Sequence, residues 1–139
     1  MLPTGTRKSS PRSIALVRIA TGIVLGLHGW SRLLSGGYEG FGGYLLSQGI
    51  PLPSAVALGI TLFEIVGSLL LVSRRLVIPA AIGHALILAG GIVMVHGPEG
   101  WFVVGAGRNG VEFSVLLLAC LAAVVVAEFE AAEPSGARA

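Results

Sequence analysis

The sequence predicts an all-α, polytopic membrane protein: a bundle of four transmembrane helices with a short interfacial helix or loop on the outer side. Three observations predict it. The chain has 139 residues and is 54% hydrophobic and 12% charged, about half the charge of an average soluble domain. Its mean hydropathy is +0.88. Four apolar runs recur along it, each about 20 residues long, the length that crosses the hydrocarbon core.

The first run, 13–33, follows the basic residues Arg7, Lys8 and Arg12. That start resembles a signal peptide, but no A-x-A-like cleavage site follows. The run continues through His28-Gly29-Trp30 and Arg32, so an uncleaved span is expected. At about 100° per residue, Arg18, Thr21, Gly22, Leu25, His28, Gly29 and Arg32 share an arc of about 120°. Ile19, Ile23, Leu27 and Trp30 occupy the other side. Small and polar residues should face the bundle and bulky apolar ones the lipid.

The outer segment 35–53 is rich in glycine. Tyr38, Phe41, Tyr44, Leu45 and Gln48 recur in it at helical spacing. A helix lying in the membrane interface explains the pattern, and an irregular glycine loop is the alternative.

Spans 54–72 and 76–95 are joined by the tight turn Ser73-Arg74-Arg75, which makes them antiparallel neighbours. Glu64 and His84 each lie about ten residues from that turn, about 15 Å deep and near the midplane. A carboxylate at that depth is costly and by default has a partner and a task. Arg18 and His84 are the expected partners of Glu64. A buried ion pair that merely fixes packing is the plainer alternative.

The last span is expected at 110–129, with Trp101 and Phe102 anchoring the loop before it. His28, His96 and Glu112 gather toward the outer side, with Arg32, Glu99 and Arg108 at the rim. The tails, 1–12 and 130–139, are polar and rich in Ser, Pro and Gly, and are expected to be disordered. Arg7, Lys8, Arg12, Arg74, Arg75 and Arg138 fall on one side of the spans, against Arg32 and Arg108 on the other. The positive-inside rule then places both termini in the cytoplasm. The bias argues against a dual-topology transporter, and the lack of an internal repeat against an inverted-repeat one.

Several function classes are excluded. The single cysteine, Cys120, rules out an intramolecular disulfide or a C-x-x-C redox pair. No basic run is interleaved with aromatics, so no nucleic-acid groove is expected. His28, His96 and Glu112 are suitable ligand types, yet no spacing motif supports a metal site. Haem is disfavoured, because His84 lies about 9 Å deeper than His28 and no histidine pair matches in depth.

Short segments in a fixed order carry a family resemblance. They begin with Arg18-Ile-Ala-Thr-Gly22, His28-Gly29 and a basic residue at position 32. Gly49-Ile-Pro51, Phe63-Glu64 leading to Gly67, and the Arg74-Arg75 turn follow. Val95-His96, Trp101-Phe102 and Asn109-Gly110-Val111-Glu112 complete the series. Over residues 14–129 this pattern resembles the DoxX family of small four-helix bacterial membrane proteins. Position 32 is Arg where the family usually has Lys, which keeps the charge and changes its geometry. Val111 stands where an aromatic commonly precedes the family glutamate. The resemblance implies a place in the bacterial cytoplasmic (inner) membrane, beside quinone-linked oxidoreductase or oxidative-stress systems. Arg18, His28, Arg32, Glu64, His96 and Glu112 are its matching polar groups; His84 belongs to the depth argument alone.

The expectation is therefore a DoxX-like, quinone-interacting membrane subunit working with a protein partner. A quinone headgroup wants hydrogen-bond donors, an apolar slot and a proton route. His28 and Arg32 are the candidate donors, and Glu112 or Glu64 the candidate relays. No motif for flavin, iron–sulfur or nicotinamide binding is present. Any electron source would thus be a partner, and the chain is not expected to be an autonomous enzyme. The alternatives are a small-molecule binding or transport module, or a purely structural subunit of a larger complex.

Overall fold

Glycine, proline and left-handed backbone set where the helices start and stop. The computed structural model describes residues 12–104 and 109–133. Helix α1 spans Arg12–Leu34, and α2 spans Gly37–Ser47 after Gly36, whose φ of 69° turns the chain. Helix α3 spans Pro53–Val72; proline suits a first turn, where its missing N–H has no bond to make. Arg74 and Leu76 hold φ of 58° and 47° in the turn that leads to α4, Val77–Gly91. A π-helical turn, Ile92–His96, and a 3-10 turn, Gly97–Glu99, continue α4, and α5 spans Glu112–Ala132. There is no strand among the described residues.

Four of these helical stretches are long and apolar enough to cross a membrane. Helix α2 has 11 residues and is about 16 Å long, too short to cross. It resolves the choice between helix and loop in the outer segment in favour of a helix. Helix α1 packs on α3 and α5, and α4 packs on the same two, so the four long helices close into a ring. Helix α2 lies mainly against α3 at the end away from the 73–76 turn. That end is called the mouth below, and the other the turn end.

A close seam runs between α1 and α3. A Cβ on Gly29 would stand 2.9 Å from the Thr61 carbonyl oxygen, and one on Gly22 would stand 2.9 Å from Val72. Gly26 meets Ser68 in the same way, at 3.1 Å. Small residues at such spacing let two membrane helices approach closely. The helices are antiparallel, so each step toward the mouth on α1 is a step away from the turn on α3. This register decides which charges meet.

The dry core sits in the turn half, where Leu25, Leu71, Val77, Ala81, Leu121 and Val124 interlock. The phasing expected for α1 holds except at His28, which was expected to face the bundle and is exposed. Arg18, Thr21, Gly22, Leu25 and Gly29 are buried, while Ile23, Leu27 and Trp30 point outward. Two elements differ from the sequence reading. Helix α4 is regular only as far as Gly91, and α5 continues to Ala132 through the stretch assigned to a tail. The rest of the two tails, with Arg7, Lys8, Arg138 and loop residue Arg108, lies outside the described residues.

Candidate functional site

Three residues beyond Gly29, Arg32 comes level with the polar face of α3. Its Nη1 donates to Glu64 Oε2 at 2.6 Å and to Thr61 Oγ1 at 3.4 Å. The Phe41 ring of α2 covers the guanidinium, with its centroid 4.7 Å from Cζ. Glu64 is buried at 6% exposure, so Arg32 is its charge partner and its link to the mouth.

Both partners expected for Glu64 are therefore corrected. Arg18 lies about 21 Å from Arg32 along α1, at the turn end. Its Nη1 donates to the Leu71 carbonyl and, at 2.9 Å, to the Val72 carbonyl. These are among the last carbonyls of α3, which have no partner within their own helix and carry the negative end of its dipole. Arg18 is thus a helix cap supplied by a neighbouring helix.

His84 matches Glu64 in depth but faces a different side of α3. Glu64 looks toward Gly29 on α1, whereas Gly67 looks toward α4 and Ser68, between the two, touches both Gly26 and His84. The Phe63 ring lies so close to Gly83 that a Cβ there would collide with it, and this contact seats α4. His84 then places Nε2 3.3 Å from Ser68 Oγ and its ring edge-on to Phe63, with centroids 5.2 Å apart. It is 1% exposed, and its Nδ1 has no hydrogen-bond partner among the described residues.

Above this layer the mouth half opens into a cavity of about 670 Å³. Its lining is mainly apolar and comes from every helix, with Leu86 and Phe113 also exposed on the outer surface. Three basic side chains, His28, Arg32 and His96, share it with Tyr44 and Asn109. His28 lies within electrostatic range of both Arg32 and His96.

The π-turn shapes this wall. An irregular turn frees backbone groups that need other partners. The Tyr44 hydroxyl donates to the Met94 carbonyl at 2.5 Å. His96 Nδ1 lies 2.9 Å from the Asn109 carbonyl oxygen. A carbonyl only accepts, so Nδ1 carries the proton and a neutral ring leaves Nε2 as an acceptor. Nε2 sits on the side of Gly91, itself part of the cavity lining.

Glu112 stands apart from this cluster. It opens α5 and accepts from the N–H groups of Val103 and Val104, at 2.9 and 3.4 Å. The backbone beside it is clasped by Gly110 N–H to Phe102 O, Val111 N–H to Gly100 O and Glu112 N–H to Trp101 O. Gly110 has no room for a Cβ against the Trp101 and Phe102 carbonyls. Glu112 fastens the loop and does not line the cavity. Glu99 is exposed.

The sequence reading missed several participants. Thr61 lies three residues before Glu64, on the same helix face. Phe41 and Tyr44 were visible as aromatics at helical spacing, without a task. Glu128 was missed altogether; it is a buried carboxylate that accepts from Arg74 Nε at 3.1 Å. Arg18 lies within electrostatic range of both. The available signal was a carboxylate inside the last apolar run, level with the Arg74 turn. No three His, Cys, Asp or Glu side chains gather to hold a metal ion among the described residues.

Four membrane-spanning helices around a lateral cavity define a multi-pass integral membrane protein. The DoxX family model matches residues 13–97, more than half of the chain, and the chain belongs to that family. The match takes in Arg18, His28, Arg32, Glu64, His84 and His96, and ends before Glu112. No curated protein and no solved structure gives a match.

Proposed function

We propose that the protein is a quinone-interacting membrane subunit that presents a quinone headgroup to a partner oxidoreductase. The observation that carries this reading is the mainly apolar cavity whose polar wall is His28, Arg32 and His96. An apolar cavity with a few convergent polar groups is the usual form of a small-molecule site. A quinone ring suits the apolar lining, and its carbonyls need donors. Nε and Nη2 of Arg32 are the first source, since the bonds to Glu64 and Thr61 use Nη1. Reduction to the quinol takes two electrons and two protons and turns each carbonyl into a hydroxyl. On this reading His96 Nε2 accepts from one of them, the electrons come from the partner and the protons from water at the mouth.

On this reading the mouth faces the outer side of a bacterial cytoplasmic membrane and both termini lie inside, as the distribution of basic residues favours. Titration of the purified chain in lipid nanodiscs with a short-tailed quinone tests the proposal. Saturable binding is expected, weakened at least tenfold by His28→Ala and by Arg32→Gln with helicity retained. Absence of saturable binding, or binding untouched by both substitutions, rejects it. Flux of a small molecule into sealed vesicles without a redox partner favours transport instead.

A further inference from the structure

An apolar cavity with one arginine and two histidines on its wall invites an anionic ligand. The charges behind the wall argue the opposite. We propose that the mouth cavity selects a neutral aromatic carbonyl compound over an anion of the same shape, and that Glu64 sets this preference. The proposal deepens the quinone reading, in that it rests on the mouth cavity being a ligand site, and it specifies the ligand's charge.

Among the described residues lining the cavity, Arg32 is the single Arg or Lys, and there is no Asp or Glu. Its charge is already answered. Glu64 Oε2 stands 2.6 Å from Nη1, on a carboxylate held inside the bundle at 6% exposure. Thr61 Oγ1 takes a second contact to the same nitrogen, and Phe41 covers a face of the guanidinium. Arginine has five N–H donors, and three of them, on Nε and Nη2, are not used in these bonds. The Arg32–Glu64 pair therefore offers donors without a net charge of its own.

A neutral carbonyl oxygen takes such a donor and adds no charge. An anion would bring a second negative charge near Glu64, where the low dielectric makes like-charge repulsion strong. In a neutral His96 ring it would also meet the lone pair of Nε2, because Nδ1 donates to the Asn109 carbonyl. Truncating the carboxylate leaves Arg32 unanswered and turns the same wall into an anion site.

The test uses 1-acetonaphthone and 1-naphthoate, close in shape and differing in charge. Each is titrated at pH 7.5 into the full chain in zwitterionic nanodiscs and referenced to empty discs. The wild-type protein is expected to bind the ketone at least tenfold tighter than the carboxylate. Glu64→Gln should reverse that order, and Glu64→Asp should keep it. The double variant Arg32→Gln with Glu64→Gln, uncharged at both positions, should keep the preference for the ketone. It serves if Glu64→Gln alone fails to fold. Equal or tighter binding of naphthoate to the wild type overturns the proposal. So does an unchanged ratio in folded Glu64→Gln, a reversed ratio in the double variant, or no binding of either probe. The probe ratio does not depend on whether a quinone binds, so the two readings fail in separate titrations.

Discussion

Arg18 and Arg32 lie on the same side of α1 and meet opposite fates. Arg18 is enclosed by the turn half, with its donors directed at carbonyls that end α3. Arg32 is held by a carboxylate on one side and lines an open cavity on the other. Both are cations inside the bundle, and both need a partner to be there. In each case the bonds use Nη1, so what differs is where the rest of the guanidinium lies. Arg18 is closed in at 7% exposure and lies outside the cavity lining, whereas Arg32 is part of that lining. A membrane bundle can thus use one residue type as a fastening and as a recognition group, with surroundings alone setting the difference.

Substitutions that separate stability from binding sharpen this contrast. Arg18→Ala should have the largest effect on stability. It removes charge-assisted bonds to the α3 end and one cation near Glu128, a loss of about 3 kcal/mol. Unfolding in detergent should show it, while quinone affinity in the remaining folded protein stays within twofold. A large affinity loss there would break the division between the two ends. Gly29→Val should cost about 2 kcal/mol, because the new atoms overpack the seam at Thr61 and Ile65. Since it also displaces Glu64 from Arg32, it should lower the melting temperature and ligand affinity together. Tyr44→Phe should be smallest in stability, about 0.6 kcal/mol for one interhelical hydrogen bond in a membrane protein. Its effect should appear instead as faster amide exchange over the π-turn and weaker binding.

The sequence made the architecture legible because lipid imposes it. Each span needed enough apolar residues to cross, and the inward face of α1 followed from the positions of Arg18, Gly22, Gly29 and their neighbours. The pairing of Glu64 was not legible from depth alone. Depth places Glu64 and His84 together, but which side of α3 each faces depends on Gly83 against Phe63 and on Gly29 against Thr61. The glycines of α1 held the missing information, since a close antiparallel seam through Gly22, Gly26 and Gly29 brings Arg32 to Glu64. Glu112 was placed in the mouth cluster by its height, yet its carboxylate is taken by the N–H groups of Val103 and Val104. Loop backbone of that kind has no periodicity to read. The irregular turn at Ile92–His96 was hidden for a related reason: a run of apolar residues looks the same whether it is wound as α or as π.

That wider turn also has a genetic reading. A π-turn is the shape left when one extra residue is accommodated within an α-helix. Rewinding the turn as α with every residue kept would rotate everything beyond it by about 100°, whereas a one-codon deletion would restore the ordinary winding with the phase beyond nearly unchanged. In the first case His96 would swing away from Asn109 and out of the cavity wall, while His84, earlier in the helix, would keep its place. The composition of the site would be intact and its frame lost. In this protein the count of residues in one turn is as much a part of the site as the residues themselves.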